Sequence, residues 1–535
     1  MDSLRLQLKR RIDGERYEWP PGENKWFIPR STINALIDES SIKEILKRGF
    51  NDKSAKDVHR YTTEIVSSSK RLFIIFLCTP FMETTVLEEL LEEGICDKHL
   101  PFSRVKKPES SDRNSYKLGK IGHNKCRKAD HGGCIIKSLS SFDQADIRDL
   151  DENQWPVLAP TFQLASSGVS HYDFPRAIIL PYTEDFEEEM SNSGGFGEVW
   201  KVRIHPAHQE LVDSSDPKGP LVAIKRLFPN GDYENTFRLE VEMHSGLNAH
   251  GHKHIVKLLA TYKLRDKYHL IFPSAFGNLR DHWRSGVMSP WNQSTSSWVL
   301  EQIVGLVSAL ELIHRETGRP PIEPDVPNSG TSSRRLFRGI KLRVEPKEAQ
   351  FGRHGDIKPE NILWMRDSSE ASGILVIADM GLGRFHRKES KSRVDPKTIS
   401  GSHTYAPPEV ALNKPVSRAY DVWSLGCVFL EFITWLLKGS QGLDTFGSIR
   451  MEKAEDGVFD DTFYSIKTSG SQKLAEVRPG VTRWIKGLKE DVRCSELLNE
   501  LLIVVELKML CVDAEFRISA QSLNSKLKSM IGTTN

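Results

Sequence analysis

Apolar positions recur near a 3.6-residue period from Ser31 to Arg48, at Ile33, Leu36, Ile37, Ile42, Ile45 and Leu46. This predicts one amphipathic helix with Ser31 or Thr32 as N-cap and Gly49 as its stop. A second helical pattern covers Lys56 to Ser69, and Thr84 to Glu93 predicts a short helix closed by Gly94. Between them Leu72-Phe-Ile-Ile-Phe-Leu-Cys78 is apolar throughout and fits a buried strand or a core helix segment. Much later, Val299, Ile303, Leu306, Val307, Leu310 and Ile313 line one side of a long helix predicted over Trp298 to His314. The first 138 residues therefore read as mainly helical, and nothing in their pattern names a chemistry.

Two stretches break the periodicity. From Leu139 to Glu189 the chain carries Trp155, Pro156, Pro160, Pro175 and Pro181 and then the acidic run Glu184 to Glu189, a composition that predicts a connector over residues 139–183. Between His314 and His354 lies a segment rich in Pro, Ser and Gly, an insert of about residues 316–350. It turns basic at 334–343, with five cations and no acid. A solvated loop is the simpler reading of that run, and a docking site for acidic or phosphorylated segments is the alternative.

Composition narrows the class. In 535 residues, hydrophobic content of 38% and charged content of 27% are those of a globular protein long enough for two or three domains, and a formal net charge of +2 gives no general case for nucleic acid or a membrane surface. The seven cysteines are odd in number and unclustered, as expected of reduced intracellular thiols. His123, Cys126, His131 and Cys134 offer two nitrogens and two thiolates that could surround a zinc ion, although an ordinary polar surface loop is the favoured reading. The N-terminal residues lack the apolar run of a secretory signal, and Leu72–Cys78 is far shorter than the ~20 residues that span a bilayer. The expectation is a soluble cytoplasmic protein with no transmembrane segment, the nucleus being a second location left open.

The chemistry lies in the second half. His354-Gly-Asp-Ile-Lys-Pro-Glu-Asn-Ile-Leu363 is preceded by the glycine-rich Met190-Ser-Asn-Ser-Gly-Gly-Phe-Gly-Glu-Val-Trp200 and by Val222-Ala-Ile-Lys225. It is followed by Leu375-Val-Ile-Ala-Asp-Met-Gly-Leu-Gly383, Gly401-Ser-His-Thr-Tyr-Ala-Pro-Pro-Glu409, Asp421-Val-Trp-Ser-Leu-Gly426 and Asp513-Ala-Glu-Phe-Arg-Ile-Ser519. In this order the stretches resemble the domain of eukaryotic Ser/Thr protein kinases over about residues 184–530. The helical leader with its Gly-Gly-Phe-Gly loop is also similar to a group of fungal kinase-domain proteins.

The resemblance implies an α+β, bilobal kinase fold after a mainly helical region (1–138) of unstated role and a connector (139–183). Its small lobe, about 184–274, would have five strands and a helix, with His254-Ile-Val-Lys-Leu-Leu259 and Tyr268–Phe272 as the fourth and fifth strands. Its large lobe, about 275–530, would be mostly helical. ATP and Mg2+ are the implied cofactors and proteins the implied substrates. Asn192, Gly194, Gly195, Phe196, Gly197 and Val199 would cover the phosphates, where glycine lets the backbone approach closely. Lys225, with Ala223 beside it, would hold the phosphates and pair with Glu240, or with Glu242, since residues two apart on a helix face different ways. Phe272 would back the adenine pocket, and Pro273, Ser274 and Ala275 would form its hinge. Asp356 would orient the substrate hydroxyl and accept its proton, Lys358 support the moving charge, and Asn361 and Asp379 bind magnesium. Asp421 would hold the catalytic loop backbone, and Arg517 would pair with Glu409.

Three residues depart from the family pattern. Asn192 stands at the first loop glycine, Gly355 where most kinases carry Arg, and Met380 where Phe is common. They support a second reading, a pseudokinase acting as an ATP-binding scaffold, although none of them carries phosphate, metal or proton. A small-molecule kinase fits less well, because residues 401–409 and 421–426 belong to the protein-kinase pattern. Gly355 cannot gather an activation-segment phosphate as Arg does. Activity is therefore expected not to depend on phosphorylation of Ser390, Ser392, Thr398 or Ser400, with Arg353 the one residue placed to substitute.

Overall fold

The protein is described from a computed structural model, which covers residues 3–50, 53–106, 116–120, 135–185, 197–228, 233–288, 290–315, 353–367, 370–380, 404–412, 414, 416–453, 459–469 and 472–532. The loop residues Asn192, Gly194, Gly195 and Phe196, the four candidate zinc ligands, the basic insert and the four activation-segment hydroxyls lie outside these. Among the described residues no group of three or more His, Cys, Asp or Glu could hold a metal ion. The chain divides into two compact units, one holding the described residues of 1–228 and 259–271, the other those of 229–258 and from 272 on.

The first unit begins with helices α1 (Ser3–Gly14), α2 (Arg30–Leu36), α3 (Glu39–Gly49), α4 (Ala55–Ser68), α5 (Lys70–Cys78) and α6 (Thr84–Glu92), and α7 (Gln144–Asn153) follows later. The single helix expected over 31–48 is two. Asp38 accepts the backbone N–H of Ser41 at 2.7 Å and caps α3, so its side chain competes with continuation of the first helix. The apolar run at 72–78 is helical, with Leu72 to Leu77 all buried, as suits a helix that is apolar all round. Its C-terminal carbonyls are met by a buried cation, Arg5, which donates to Thr79 O at 2.8 Å, to Met82 O at 2.9 Å and to Phe76 O.

The same unit contains a six-stranded sheet in the order β1-β5-β6-β4-β3-β2, formed by β1 (Ser170–Asp173), β2 (Tyr182–Asp185), β3 (Gly197–Ile204), β4 (Leu221–Leu227), β5 (Ala260–Leu264) and β6 (Lys267–Pro273). Residues 139–183 are thus no mere connector. They supply α7 and an edge strand, β1, that pairs parallel with β5, Ser170 opposite Ala260, so the expected five strands become six. The prolines that suggested a linker lie outside the strands: Pro156 is in a 3-10 turn, Pro175 follows β1 and Pro181 precedes β2. The fourth family strand, β5, also begins at Ala260, six residues later than the sequence pattern implied, because His254–Val256 pair elsewhere. One face of the sheet, with Val202, Ile204, Val222, Ile224 and Ile271, shares a core with Trp19 and Phe27 of the N-terminal region and with Phe162, Tyr172 and Tyr182.

The second unit is mostly helical. It contains α8 (Tyr233–Asn248), α9 (Leu279–Ser285), α10 (Gln293–Arg315), α11 (Pro408–Ala411), α12 (Ala419–Arg450, broken into two helical segments at Gly439, where φ is +67°), α13 (Pro479–Lys489), α14 (Glu496–Val504) and α15 (Ala520–Gly532). A small antiparallel sheet joins β7 (Gly277–Asn278), β8 (Ile362–Met365) and β9 (Ile374–Ile377), and a hairpin pairs β10 (Tyr464–Ser469) with β11 (Gln472–Val477). Every residue of α12 from Asp421 to Leu437 is buried, making it the axis of the core, with α10 and α15 packed on the same cluster. α10 and α12 are long and apolar enough to cross a membrane by length and composition, and both are built into this core.

Candidate active site

In the second unit, the loop from Arg353 to Pro359 is shaped by a buried acid beneath it. Asp421, in the first turn of α12, accepts the backbone N–H of His354 on Oδ2 and that of Gly355 on Oδ1, both at 2.8 Å. Its Oδ2 also meets His314 Nε2 at 2.9 Å. Burial works to raise the pKa of Asp421, but the His314 bond, nearby His354 and the Gly355 N–H outweigh it and hold the carboxyl below its ordinary value. His354 is held by its own ring. Nε2 donates to Ala378 O at 2.8 Å and Nδ1 accepts the N–H of Asp356 at 3.3 Å.

This frame presents Asp356, only 8% exposed. One of its carboxylate oxygens, Oδ2, meets Lys358 Nζ at 2.8 Å and Asn361 Nδ2 at 2.9 Å, while Asn361 Nδ2 also donates to the Asp356 carbonyl at 2.8 Å. A short 3-10 turn over Pro359–Asn361 folds the asparagine back for these bonds. The amide nitrogen being committed to Asp356, the amide oxygen is the atom of Asn361 suited to a cation.

Asp379 is brought to the same place by the β8–β9 ladder. Ile362 pairs with Ile377, and one residue beyond each the N–H of Ala378 donates to Asn361 O at 2.9 Å. Asp379 comes next, with φ of +61°, a left-handed conformation that is rare for a residue with a side chain and concentrated at functional sites. Met380, 1% exposed, is part of the core. β9 is braced from its other side: Ile377 N–H donates to His254 O, Val256 N–H to Ile377 O, and His254 Nδ1 to Leu375 O at 2.7 Å. The imidazole lies so close to α10 that a Cβ at Gly305 would fall 2.2 Å from its Nε2.

Of the other expected residues in this unit, Glu240 is buried and Glu242 only half-buried, so Glu240 is the inward-facing one. Phe272 packs on Val256, Val376 and Ala378 with its ring 5.3 Å from that of His244. Ser274 and Ala275 are half-buried in the link from β6 to β7. Arg517 and Glu409 pair as expected, at 3.0 and 3.1 Å, with Arg517 further donating to Ala419 O at 2.7 Å. Arg353 lies over the ring of Tyr420, its guanidinium carbon 5.3 Å from the ring centre.

In the first unit, Lys225 faces Val199 across the β3–β4 ladder and Ala223 faces Lys201, so Val199, Ala223 and Lys225 share the sheet face opposite the aromatic core. Lys225 is buried. Gly197, at the start of β3, runs so near β4 that a Cβ there would stand 2.6 Å from Arg226 O.

The match to known proteins agrees with this geometry. Residues 349–526 fit the family model described as the protein kinase domain. Over that stretch the chain matches a protein kinase domain. It is similar to the serine/threonine-protein kinase PBL27 of Arabidopsis thaliana, 26% identical over 299 residues, which cover 55% of this chain and 48% of that protein. The probable serine/threonine-protein kinase PBL23 of the same plant is 24% identical over 311 residues, 58% of this chain and 66% of that protein. Cyclin-dependent kinase 8 of Drosophila melanogaster is 38% identical over 82 residues, 15% of this chain and 18% of that protein. The chain spans only 33% and 26% of two further plant receptor-like kinases. These relatives are plant and insect proteins, so the expected fungal kinship finds no support in them.

The second unit also brings together residues to which the sequence reading assigned no role. Arg280, Tyr405 and Glu431 form a chain of polar contacts beside Glu360 of the catalytic loop. Glu431 had a signal in the sequence: it is the one charged residue in the largely apolar Val422–Leu437, and an acid there requires a buried partner. Arg280 had none.

Proposed function

We propose that the chain is an ATP-dependent protein kinase that moves the γ-phosphate of Mg-ATP to Ser or Thr hydroxyls of protein substrates. The observation that carries this is the convergence of Lys358 and Asn361 on one carboxylate oxygen of Asp356, within a loop tied down by Asp421. Asp356 orients the incoming hydroxyl and takes its proton. Lys358 stabilises charge on the transferring group, as positioning and electrostatics dominate phosphoryl transfer. In the first unit Lys225 is the residue suited to the phosphates, and in the second Phe272, Ser274 and Ala275 are those suited to adenine.

An amide oxygen and a carboxylate, from Asn361 and Asp379, suit magnesium, which takes hard oxygen ligands and leaves positions for phosphate and water. When bound, the ion neutralises charge on the phosphates. The scaffold reading loses ground because Met380 fills the core and Gly355 keeps its loop hydrogen bond.

The test is mass-spectrometric phosphosite mapping of the purified chain and a mixed protein substrate after incubation with Mg-ATP, beside an Asp356→Asn control. New phosphoserine and phosphothreonine in the wild type alone are expected. No site above the control while ATP binds would overturn the proposal.

A further inference from the structure

Where the N-terminal helices meet the turn that follows β3, two arginines are fixed at their backbones and unspent at their heads. Arg30, the first residue of α2, donates its backbone N–H to His208 Nε2 at 2.9 Å, and His208 Nδ1 donates to Pro160 O at 3.0 Å. Arg71, in the first turn of α5, donates its backbone N–H to Asp97 Oδ2 at 3.1 Å, and Leu72 donates to Oδ1 at 3.0 Å. Within the first unit, α2 packs both on α5 and on the 3-10 turn Pro206–His208, which brings Arg30, Arg71 and His208 together. Neither guanidinium makes a hydrogen bond or an ion pair among the described residues.

The charges feel one another. Burial lowers the pKa of Arg71, Asp97 works against that, and Arg30 adds to it. His208 is pulled down to about 4 by burial first, with His205, Arg71 and Arg30 contributing. Asp97 is the acid beside Arg71, but both its oxygens are taken by the start of α5, and burial outweighs those bonds to hold its own pKa above the ordinary value. It therefore answers Arg71 only in part. A half-buried guanidinium carries a desolvation cost that an anionic partner offsets. Arg30 is exposed, so the pair opens to solvent on its side. Two forks on separate helices call for an anion whose oxygens face more than one way. A tetrahedral phosphate group provides this, whereas the two coplanar oxygens of a carboxylate are matched by a single fork.

We propose that Arg30 and Arg71 form a binding site for a phosphate group, carried as inorganic phosphate or as a small phosphomonoester, at the seam between the N-terminal helices and the turn after β3. His208 and Asp97 position the two arginines. This stands independently of the kinase reading.

The experiment melts the full chain over a series of concentrations of inorganic phosphate and, separately, of glycerol phosphate, with ionic strength held constant by sodium chloride. A saturable rise in melting temperature is expected, because a ligand of the folded state stabilises it, and the compound that half-saturates at the lower concentration identifies the source of the phosphate group. Arg30→Gln and Arg71→Gln should each raise the half-saturating concentration ~10-fold, the scale of one charge-assisted contact, while Lys225→Gln should leave it within about twofold. No saturable rise in the wild type, an equal rise with acetate, a response unchanged in both arginine variants, or a response lost in Lys225→Gln alone overturns the proposal. Should Arg71→Gln not fold, the exposed Arg30→Gln decides: weaker binding supports the proposal, and unchanged binding overturns it.

Discussion

Asp421 Oδ1 accepts the backbone N–H of Gly355 at 2.8 Å, and Gly355 holds that bond with φ of +81°. A residue with a Cβ meets its own carbonyl in this left-handed region at a cost of roughly 1–2 kcal/mol. Gly355 therefore serves the loop backbone, whatever it forgoes in phosphate binding. Gly355→Ala is expected to lower unfolding free energy by about 1 kcal/mol for that reason, measured by urea denaturation. An unchanged midpoint would show that the loop relaxes at no cost.

With glycine at 355, the loop offers no guanidinium at that position to an activation-segment phosphate. Replacing Ser390, Ser392, Thr398 and Ser400 together by Ala is expected to leave the rate of transfer within about threefold of wild type, under 1 kcal/mol in barrier. Loss of transfer in a folded quadruple variant would show that one of these hydroxyls is required.

The loop geometry was legible because the motif spacings place particular residue types side by side. Lys358 and Asn361 meet Asp356, and Arg517 meets Glu409. What the sequence hid was non-local. β1 joins the sheet by pairing with a strand some ninety residues later, a register that no local pattern encodes, and the prolines around it read as a linker. The split at Asp38 turned on a single side-chain hydrogen bond against an unbroken apolar period. Arg280 has neither motif nor period to mark it.

Arg517 and Glu409 are 0% and 3% exposed, and each is tolerable there only because of the other. Glu409→Gln is expected to cost ~3–5 kcal/mol by leaving a buried guanidinium unmatched, whereas Glu409→Gln combined with Arg517→Met should cost less than the sum of the single changes. A double-mutant cycle in denaturant measures this, and strict additivity would contradict the pairing.

Buried histidines set the acid limit of the fold. Burial pulls His282, ringed by Trp298, Trp364 and Trp435, down to about 4, and His254 also to about 4 despite its bond to Leu375 O. With folded values below the ordinary 6.5, the neutral forms are favoured in the native state. Their stabilisation is whole above pH 6.5 and is lost as pH falls toward 4, on the order of 2–3 kcal/mol for each ring. Melting temperature is therefore expected to fall steadily between pH 6.5 and 4. In His282→Phe, which keeps an aromatic ring in that box, the fall should be shallower. An equal slope in the variant would remove His282 from the explanation.

Asp356 is the group proposed to receive the substrate proton. Its most direct test is the rate of γ-phosphate transfer from Mg-ATP to a Ser/Thr peptide by wild type and by Asp356→Asn, with ATP affinity measured on both. Transfer by the wild type, a fall of ~10²–10⁴-fold in the variant and unchanged ATP affinity are predicted. Equal rates in the two proteins, or no transfer by a wild type that binds ATP, would contradict it.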